Sequence, residues 1–83
     1  METIEFKVNY RGAAIEAKIF PDENYLGLIY PVELNDHYTF TIYLNENEEW
    51  LIMREGNGIT PTIDNELLSN ILKKLQWQLK YAA

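Results

Sequence analysis

The sequence predicts an α+β fold, in which an antiparallel β-meander of four or five strands, in the order 1-2-3-4-5, carries one C-terminal α-helix on one face. Up to residue 54, apolar and polar side chains largely alternate, which is the period of strands that bury one face. From residue 62 the apolar spacing changes to the helical period of 3.6. Short connections favour sheet neighbours that are also sequence neighbours. The predicted elements are strands at about residues 2–10, 13–20, 26–34, 38–45 and 49–54 and a helix at about 62–80.

The first two strands form a predicted hairpin with its turn at Arg11-Gly12. If Tyr10 lies opposite Ala13, the apolar residues of both strands share one side, and Lys7 faces Glu16 on the other side. Opposite charges directly across a ladder stabilise it by roughly 0.2–1 kcal/mol. A shift of one residue would destroy both sets of pairs, so the sequence predicts this register and a charged outer side.

The third strand is irregular and the fourth is regular. Pro21 is expected to end the second strand, because proline cannot donate to a ladder, and a loop follows it. Gly27 and Pro31 interrupt the third strand, where we expect a bulge or an edge position. After a turn at residues 35–37, alternation predicts the inward side chains of the fourth strand to be Tyr38, Phe40, Ile42 and Leu44. The outward side chains are then Thr39, Thr41 and Tyr43.

The fifth strand is apolar on both faces, because Trp50, Leu51, Ile52 and Met53 follow one another. Two registers are open. An even loop count places Trp50 and Ile52 on the outer face beside Tyr43. An odd count places them under the helix and leaves Leu51 and Met53 outside. Both registers put two apolar side chains beside Tyr43, on the face that the helix does not cover.

The predicted helix has a broad apolar side, formed by Ile63, Leu67, Leu68, Ile71, Leu72, Leu75 and Leu79. Two start signals compete: Thr60 before Pro61, and Thr62 before Asp64. Lysines in its second half complement the helix dipole. Trp77 lies outside the apolar arc, on the flank of the helix.

Composition restricts the classes of function. The chain has 83 residues, enough for one domain, with seven basic and thirteen acidic residues and a formal charge of −6. Such a charge disfavours nucleic-acid and anionic-membrane partners. The chain has no cysteine, which excludes disulfides, thiolate metal sites and thiol catalysis. Because apolar runs stay far below the ~18 residues that span a bilayer, we expect a cytoplasmic protein.

Few residues offer chemistry. His37 is the only histidine, and a solvated turn explains it better than catalysis or metal binding does. The acidic loop 45–49 lacks the spacing of an EF-hand. Gly56, Asn57 and Gly58 lead toward the helix start, where free N–H groups can bind anions, and they form a weak candidate anion site. No catalytic residue, metal ligand or cofactor is predicted, and we expect no enzyme.

The excess of apolar surface indicates an interaction module that docks through the sheet face opposite the helix. Contiguous apolar patches often mark partner sites, and Trp and Tyr dominate the energetic centres of interfaces. The partner is another protein or a second copy of the chain, since two-fold dimers are the commonest oligomers. The candidate interface residues are Thr41, Tyr43, Trp50 and Ile52 on the sheet and Trp77 and Tyr81 on the helix.

The alternative is a ligand-binding domain with an aromatic pocket between sheet and helix, or an anion at the helix start. The competing structural explanation is that loop residues such as Tyr25 and Leu26 cover the fifth strand and that Trp77 caps the sheet edge.

Overall fold

A computed structural model describes residues 2–25 and 27–81 as one antiparallel sheet with one α-helix. The strands are β1 (Ile4–Tyr10), β2 (Ala13–Ile19), β3 (Asp22–Asn24), β4 (Gly27–Leu34), β5 (His37–Leu44) and β6 (Trp50–Ile52), and the helix is α1 (Asn65–Tyr81). The strand order is β1-β2-β4-β5-β6, with β3 also paired to β4. The α+β class, the meander order of the five main strands and the C-terminal helix are therefore confirmed.

The β1–β2 hairpin has the predicted register. Tyr10 lies opposite Ala13, and Lys7 lies opposite Glu16. The backbone at Arg11 and Gly12 has φ values of 49° and 80°. Positive φ at both central residues is the signature of a type I′ turn, whose twist matches that of the two strands it joins.

Strands β2 and β3 are two parts of one longer strand. Ala17 pairs with Leu34 and Asp22 pairs with Ile29. Five residues forward along the first segment thus match five residues back along β4, so both pairs belong to one continuous register. Between them the Phe20 amide donates to the Pro31 carbonyl at 3.0 Å. The prediction of a loop directly after Pro21 is therefore wrong, because the proline only omits one donor and pairing resumes beyond it. Leu26, the predicted first residue of the third strand, lies outside the described residues.

A β-bulge separates the two ends of the β4–β5 ladder. Val32 pairs with Phe40, whereas Glu33 pairs with Tyr38, so Thr39 is an extra residue on β5. The irregularity expected in the third predicted strand thus lies in its partner. The bulge turns Tyr38 to the same side as Glu33, and the prediction that Tyr38 points inward is wrong.

The helix packs on one face of the sheet, here called the inner face, and it lies closest to β1. Three residues at helical spacing, Leu67, Ile71 and Leu75, are buried there. They share one hydrophobic core with strand residues, which are Val8, Ile19, Tyr30, Val32, Phe40 and Ile42. The described residues contain no helix with the length and apolar content needed to cross a membrane.

The helix is capped by Asp64. Its Oδ1 accepts the backbone N–H groups of Glu66 at 2.9 Å and of Leu67 at 3.3 Å, as an N-cap side chain does. Neither Thr60 nor Thr62 therefore caps the helix, and both predicted start signals lie too early. The hydrogen bond from Leu67 is the main reason that the pKa of the Asp64 carboxyl is lowered.

Asp64 also joins the helix start to the β1–β2 turn. Its Oδ2 lies 3.5 Å from the Arg11 guanidinium, and the nearby Tyr10 hydroxyl helps to lower the pKa of its carboxyl. The Arg11 guanidinium in turn lies 5.0 Å from the centre of the Tyr10 ring. These contacts hold the helix over the β1–β2 end of the sheet.

Candidate functional site

The face of the sheet opposite α1, here called the outer face, carries a first row of apolar side chains across β4, β5 and β6. Ile29 pairs with Tyr43, and Tyr43 pairs with Leu51. Partners in an antiparallel ladder project to the same face, and the flanking residues Tyr30 and Ile42 belong to the core on the other face. The first row therefore faces away from the helix.

A second row runs beside the first. The Phe20 amide bonds to Pro31, and Pro31 pairs with Thr41. The Met53 amide donates to the Thr41 carbonyl at 2.8 Å, which continues the pairing beyond β6. We call the apolar members of the two rows the outer patch, which consists of Phe20, Ile29, Pro31, Tyr43, Leu51 and Met53.

The loop between β5 and β6 decides which side of β6 joins the outer patch. Leu44 pairs with Trp50, so five residues lie between them, and the odd-count register is the observed one. The Asn45 side chain accepts the amides of Asn47 and Glu49, at 2.9 Å and 2.8 Å, and fixes the loop. Trp50 consequently projects to the inner face.

The predicted outer-face positions of Trp50 and Ile52 are therefore wrong, whereas those of Thr41 and Tyr43 agree with the structure. Trp50 and Ile52 are partly buried and pack against the core. The Trp50 ring meets the Tyr30 ring edge-on, with 5.3 Å between centroids. Trp50 thus extends the core on the inner face.

Thr41 forms the floor of the patch. It is only 7% exposed although it lies on the face opposite α1. Its Oγ1 lies 2.9 Å from the Tyr38 hydroxyl, which also donates to Glu55. Burial, followed by the hydrogen bond to Glu55, raises the pKa of Tyr38. The buried polar group of Thr41 is therefore satisfied within the chain.

The β1–β2 end of the outer face is charged. The Lys18 Nζ lies 2.8 Å from Asp36 and 3.9 Å from Glu5. The hydrogen bond between Lys18 and Asp36 raises the pKa of the lysine and lowers the pKa of the carboxyl. The outer face is therefore divided into a charged end and an apolar end.

Trp77 and Tyr81 form a separate exposed pair on α1. Their ring centroids are 5.2 Å apart, and the two residues are 59% and 61% exposed. Because α1 lies on the inner face, the structure does not bring this pair together with the outer patch. Two distinct candidate surfaces result.

The predicted anion site is not assembled at the helix start. Residues 59–64 separate Gly58 from α1. The Gly58 amide bonds to the Glu55 carbonyl, and the Asn57 side chain accepts the Ile59 amide. The first helical amides already bond to the anionic Asp64, which would repel a bound anion.

No group of three or more metal-ligating side chains occurs within residues 2–25 and 27–81. His37 is exposed at the end of a turn. Neither a protein-family model, nor a curated protein, nor a solved structure matches this chain.

Sequence reasoning missed Phe20, Ile29 and Pro31, and it placed Leu51 and Met53 outside in only one of two alternatives. The feature that was missed is that the pairing register with β4 continues across Pro21. Once β2 and β3 are counted as one strand, Phe20 must project to the face of Pro31. The apolar character of the second face was visible in the sequence, but its members depended on registers that the sequence left open.

Proposed function

We propose that this chain is a non-enzymatic protein-interaction module and that its outer patch packs against the outer patch of a second copy. The observation that carries this proposal is the pair of apolar rows on the face that α1 leaves open. Contiguous apolar surface of this kind is uncommon on monomers. A sheet face of this type packs on another at about 10 Å, with interdigitating side chains.

The choice of a second copy rests on the charges that flank the patch. Lys18 lies beside Asp36 and Glu5, so one surface offers both signs. A two-fold axis can bring such a surface against itself, because each lysine then meets a carboxylate of the other copy. The −6 charge of each copy opposes association at low salt. Since salt screens long-range repulsion, the dimer should strengthen as ionic strength rises toward physiological values.

The test is sedimentation velocity over a concentration series that extends to about 1 mM, the range in which affinities near −4 kcal/mol are detected. We expect a reversible monomer–dimer equilibrium for the unmodified chain. Leu51→Lys should give a monomer, because association would bury a charge that has no partner among the apolar residues of the outer patch. A strict monomer at every concentration and salt would remove the proposal.

Leu28→Lys is the matched control. Leu28 is 41% exposed and Leu51 is 39% exposed, but Leu28 precedes the outward Ile29 in β4, pairs with Glu23 and therefore lies on the inner face. Both variants change the net charge equally. Equal loss of association in the two variants would show that charge, and not the outer patch, controls it.

A ligand site is the second candidate function, and one depression supports it. It has a volume of about 770 Å³ and lies beside Tyr25, Tyr43 and Met53 at the β5–β6 end of the sheet. Small-molecule sites typically measure roughly 300–1,000 Å³. The aromatic pocket predicted between sheet and helix is instead filled, because Ile71 and Leu75 have no exposed surface. A ligand of this depression would raise the melting temperature of the chain, and Tyr43→Ala should cancel the rise.

A further inference from the structure

The edge formed by β1 and the second half of α1 contains a groove, here called the edge groove, that is separate from the outer patch. Its volume is about 380 Å³, and it is lined by Phe6, Lys73, Lys74, Trp77 and Gln78. Phe6 projects to the inner face and packs against the core. The groove therefore has a fixed apolar floor and a wall formed by the helix.

The aromatic side chains at this edge are held in place but not covered. Trp77 contacts the Tyr81 ring, and the Lys80 Nζ lies 5.3 Å from the centre of the same ring. Both rings nevertheless keep more than half of their surface exposed, at 59% and 61%. An ordered, exposed tryptophan supplies large contact area to a partner at little cost in side-chain entropy.

The helix side of this edge is basic, although the chain as a whole carries a formal charge of −6. The only acidic residue of α1 lies in its first turn, whereas its second half carries Lys73, Lys74 and Lys80. Among the described residues, the ion pairs involve Arg11 and Lys18, and no carboxylate lies within ion-pair distance of these three lysines. At physiological ionic strength, charges more than about 8 Å away are largely screened. Among the described residues, Lys73 and Lys74 therefore place positive charge without an ion-pair partner on the helix wall of the groove.

The backbone of β1 provides an open strand edge beside the groove, since β2 is its only partner among the described strands. In a two-residue hairpin the pair next to the turn exchanges both backbone bonds, so Glu5, Lys7 and Asn9 direct their amides and carbonyls outward. The Asn9 carbonyl accepts from the Asn70 side chain at 3.2 Å, which covers one end of the edge. Within the described chain, no other strand joins the edge at Glu5 and Lys7.

We propose that the edge groove binds an extended acidic segment of a partner protein. The segment adds to the β1 edge at Glu5 and Lys7, as in strand addition. One apolar side chain enters the groove against Phe6 and Trp77, and carboxylates two residues away, on the same face of the segment, meet Lys73 and Lys74. The partner chemistry follows from the charge of the groove and from the open backbone edge. The proposal uses a different surface from the proposed dimer, so either can fail alone.

The test uses fluorescence anisotropy of a fluorescein-labelled nonapeptide, EDEFDLEDE, with the full chain at 0.15 M salt. Along an added strand this peptide places phenylalanine and leucine on one face, flanked by carboxylates. We expect saturable binding that weakens as salt rises and that is at least about tenfold weaker for the neutral peptide QNQFNLQNQ. Equal binding of the two peptides would overturn the proposal. So would the absence of binding of the acidic peptide at about 1 mM chain, a concentration at which complexes of roughly −4 kcal/mol are still detected.

Two pairs of variants locate the contact. Trp77→Ala should weaken binding about tenfold or more, as at interface hot spots, while Tyr25→Ala, at a residue 93% exposed, should leave it unchanged. Lys74→Gln should weaken binding about two- to fivefold, in the range of exposed ion pairs, and Arg54→Gln should not. Circular dichroism verifies that each variant is folded. Equal effects within either pair would overturn the assignment to the edge groove.

Anionic vesicles provide the last arm of the test. Vesicles of phosphatidylserine and phosphatidylcholine in equal amounts are sedimented with the chain at the same salt. We expect no co-sedimentation, because the −6 charge of the whole chain opposes an extended anionic surface. Vesicle binding that Trp77→Ala abolishes would show that the groove serves a membrane surface and would overturn the peptide proposal.

Discussion

The β1–β2 hairpin and the β4–β6 half of the sheet belong to one layer but differ on the outer face. In the hairpin the inward residues Val8 and Ile19 are buried, and the outward residues Lys7 and Glu16 are charged. In the β4–β6 half, residues are apolar on both faces. Alternation of polarity therefore fixes the register of the hairpin, but it cannot fix the register of a strand such as β6.

The largest expected effect compares the two faces with one residue type. Ile42 is 1% exposed on the inner face, and Ile29 is half-buried on the outer face. Ile42→Ala should lower the free energy of unfolding by about 2–5 kcal/mol. Ile29→Ala should lower the free energy of unfolding by only about 1–2 kcal/mol, because folding removes less apolar surface from water at Ile29 than at Ile42.

Urea denaturation at micromolar concentration measures both values. At high concentration the cost of Ile29→Ala should increase, because dimerisation would bury its side chain further. Equal costs for the two variants in the monomer would show that the outer face is as well packed as the core, which would remove the contrast between the faces.

The second prediction concerns the contacts that hold the helix over the β1–β2 end. Asp64→Ala removes the helix cap and the partner of Arg11, so the urea midpoint should fall. Thr62→Ala is the control, and it should change stability by less than about 0.5 kcal/mol, as is usual for surface positions. A larger loss for Thr62→Ala would mean that the cap is misassigned.

The third prediction is a pH dependence with a defined sign. The pKa of Asp64 is lowered in the folded chain, chiefly by the hydrogen bond from the Leu67 amide. Its stabilising contribution is therefore complete above the ordinary carboxyl pKa of 3.8 and is lost as pH falls through the lower folded pKa. Asp64→Asn keeps a capping oxygen but cannot titrate, so the acid limb of its stability curve should be shallower. An unchanged acid limb would contradict this role.

How far the sequence predicts the fold differs between the two halves. The Lys7–Glu16 pair and the turn at Arg11-Gly12 determine one register, and that register is observed. The sequence around Thr39 does not predict the bulge, because threonine is also common in regular strands. Its consequence, the outward position of Tyr38, therefore could not be predicted.

The composition of the outer patch depends on the number of residues in the loop between β5 and β6. Trp50 and Leu51 are both apolar, so neither face of β6 was favoured by burial. The choice is made by the Asn45 side chain, which accepts two amides and closes a five-residue loop. A side-chain hydrogen bond of this kind competes with several alternatives of similar energy, and the sequence alone does not rank them.

The smallest expected effect tests that loop. Glu48 has a φ of 61°, a left-handed conformation that glycine adopts without strain. Glu48→Gly should therefore stabilise the chain, by up to about 1 kcal/mol. Glu46→Gly is the matched control, because it removes the same charge from the same loop at a residue without positive φ, and it should be neutral or slightly destabilising. If both variants gain stability equally, the loss of acidic repulsion explains the gain. The left-handed backbone at Glu48 would then not be a strained position of the loop that sets the register of β6.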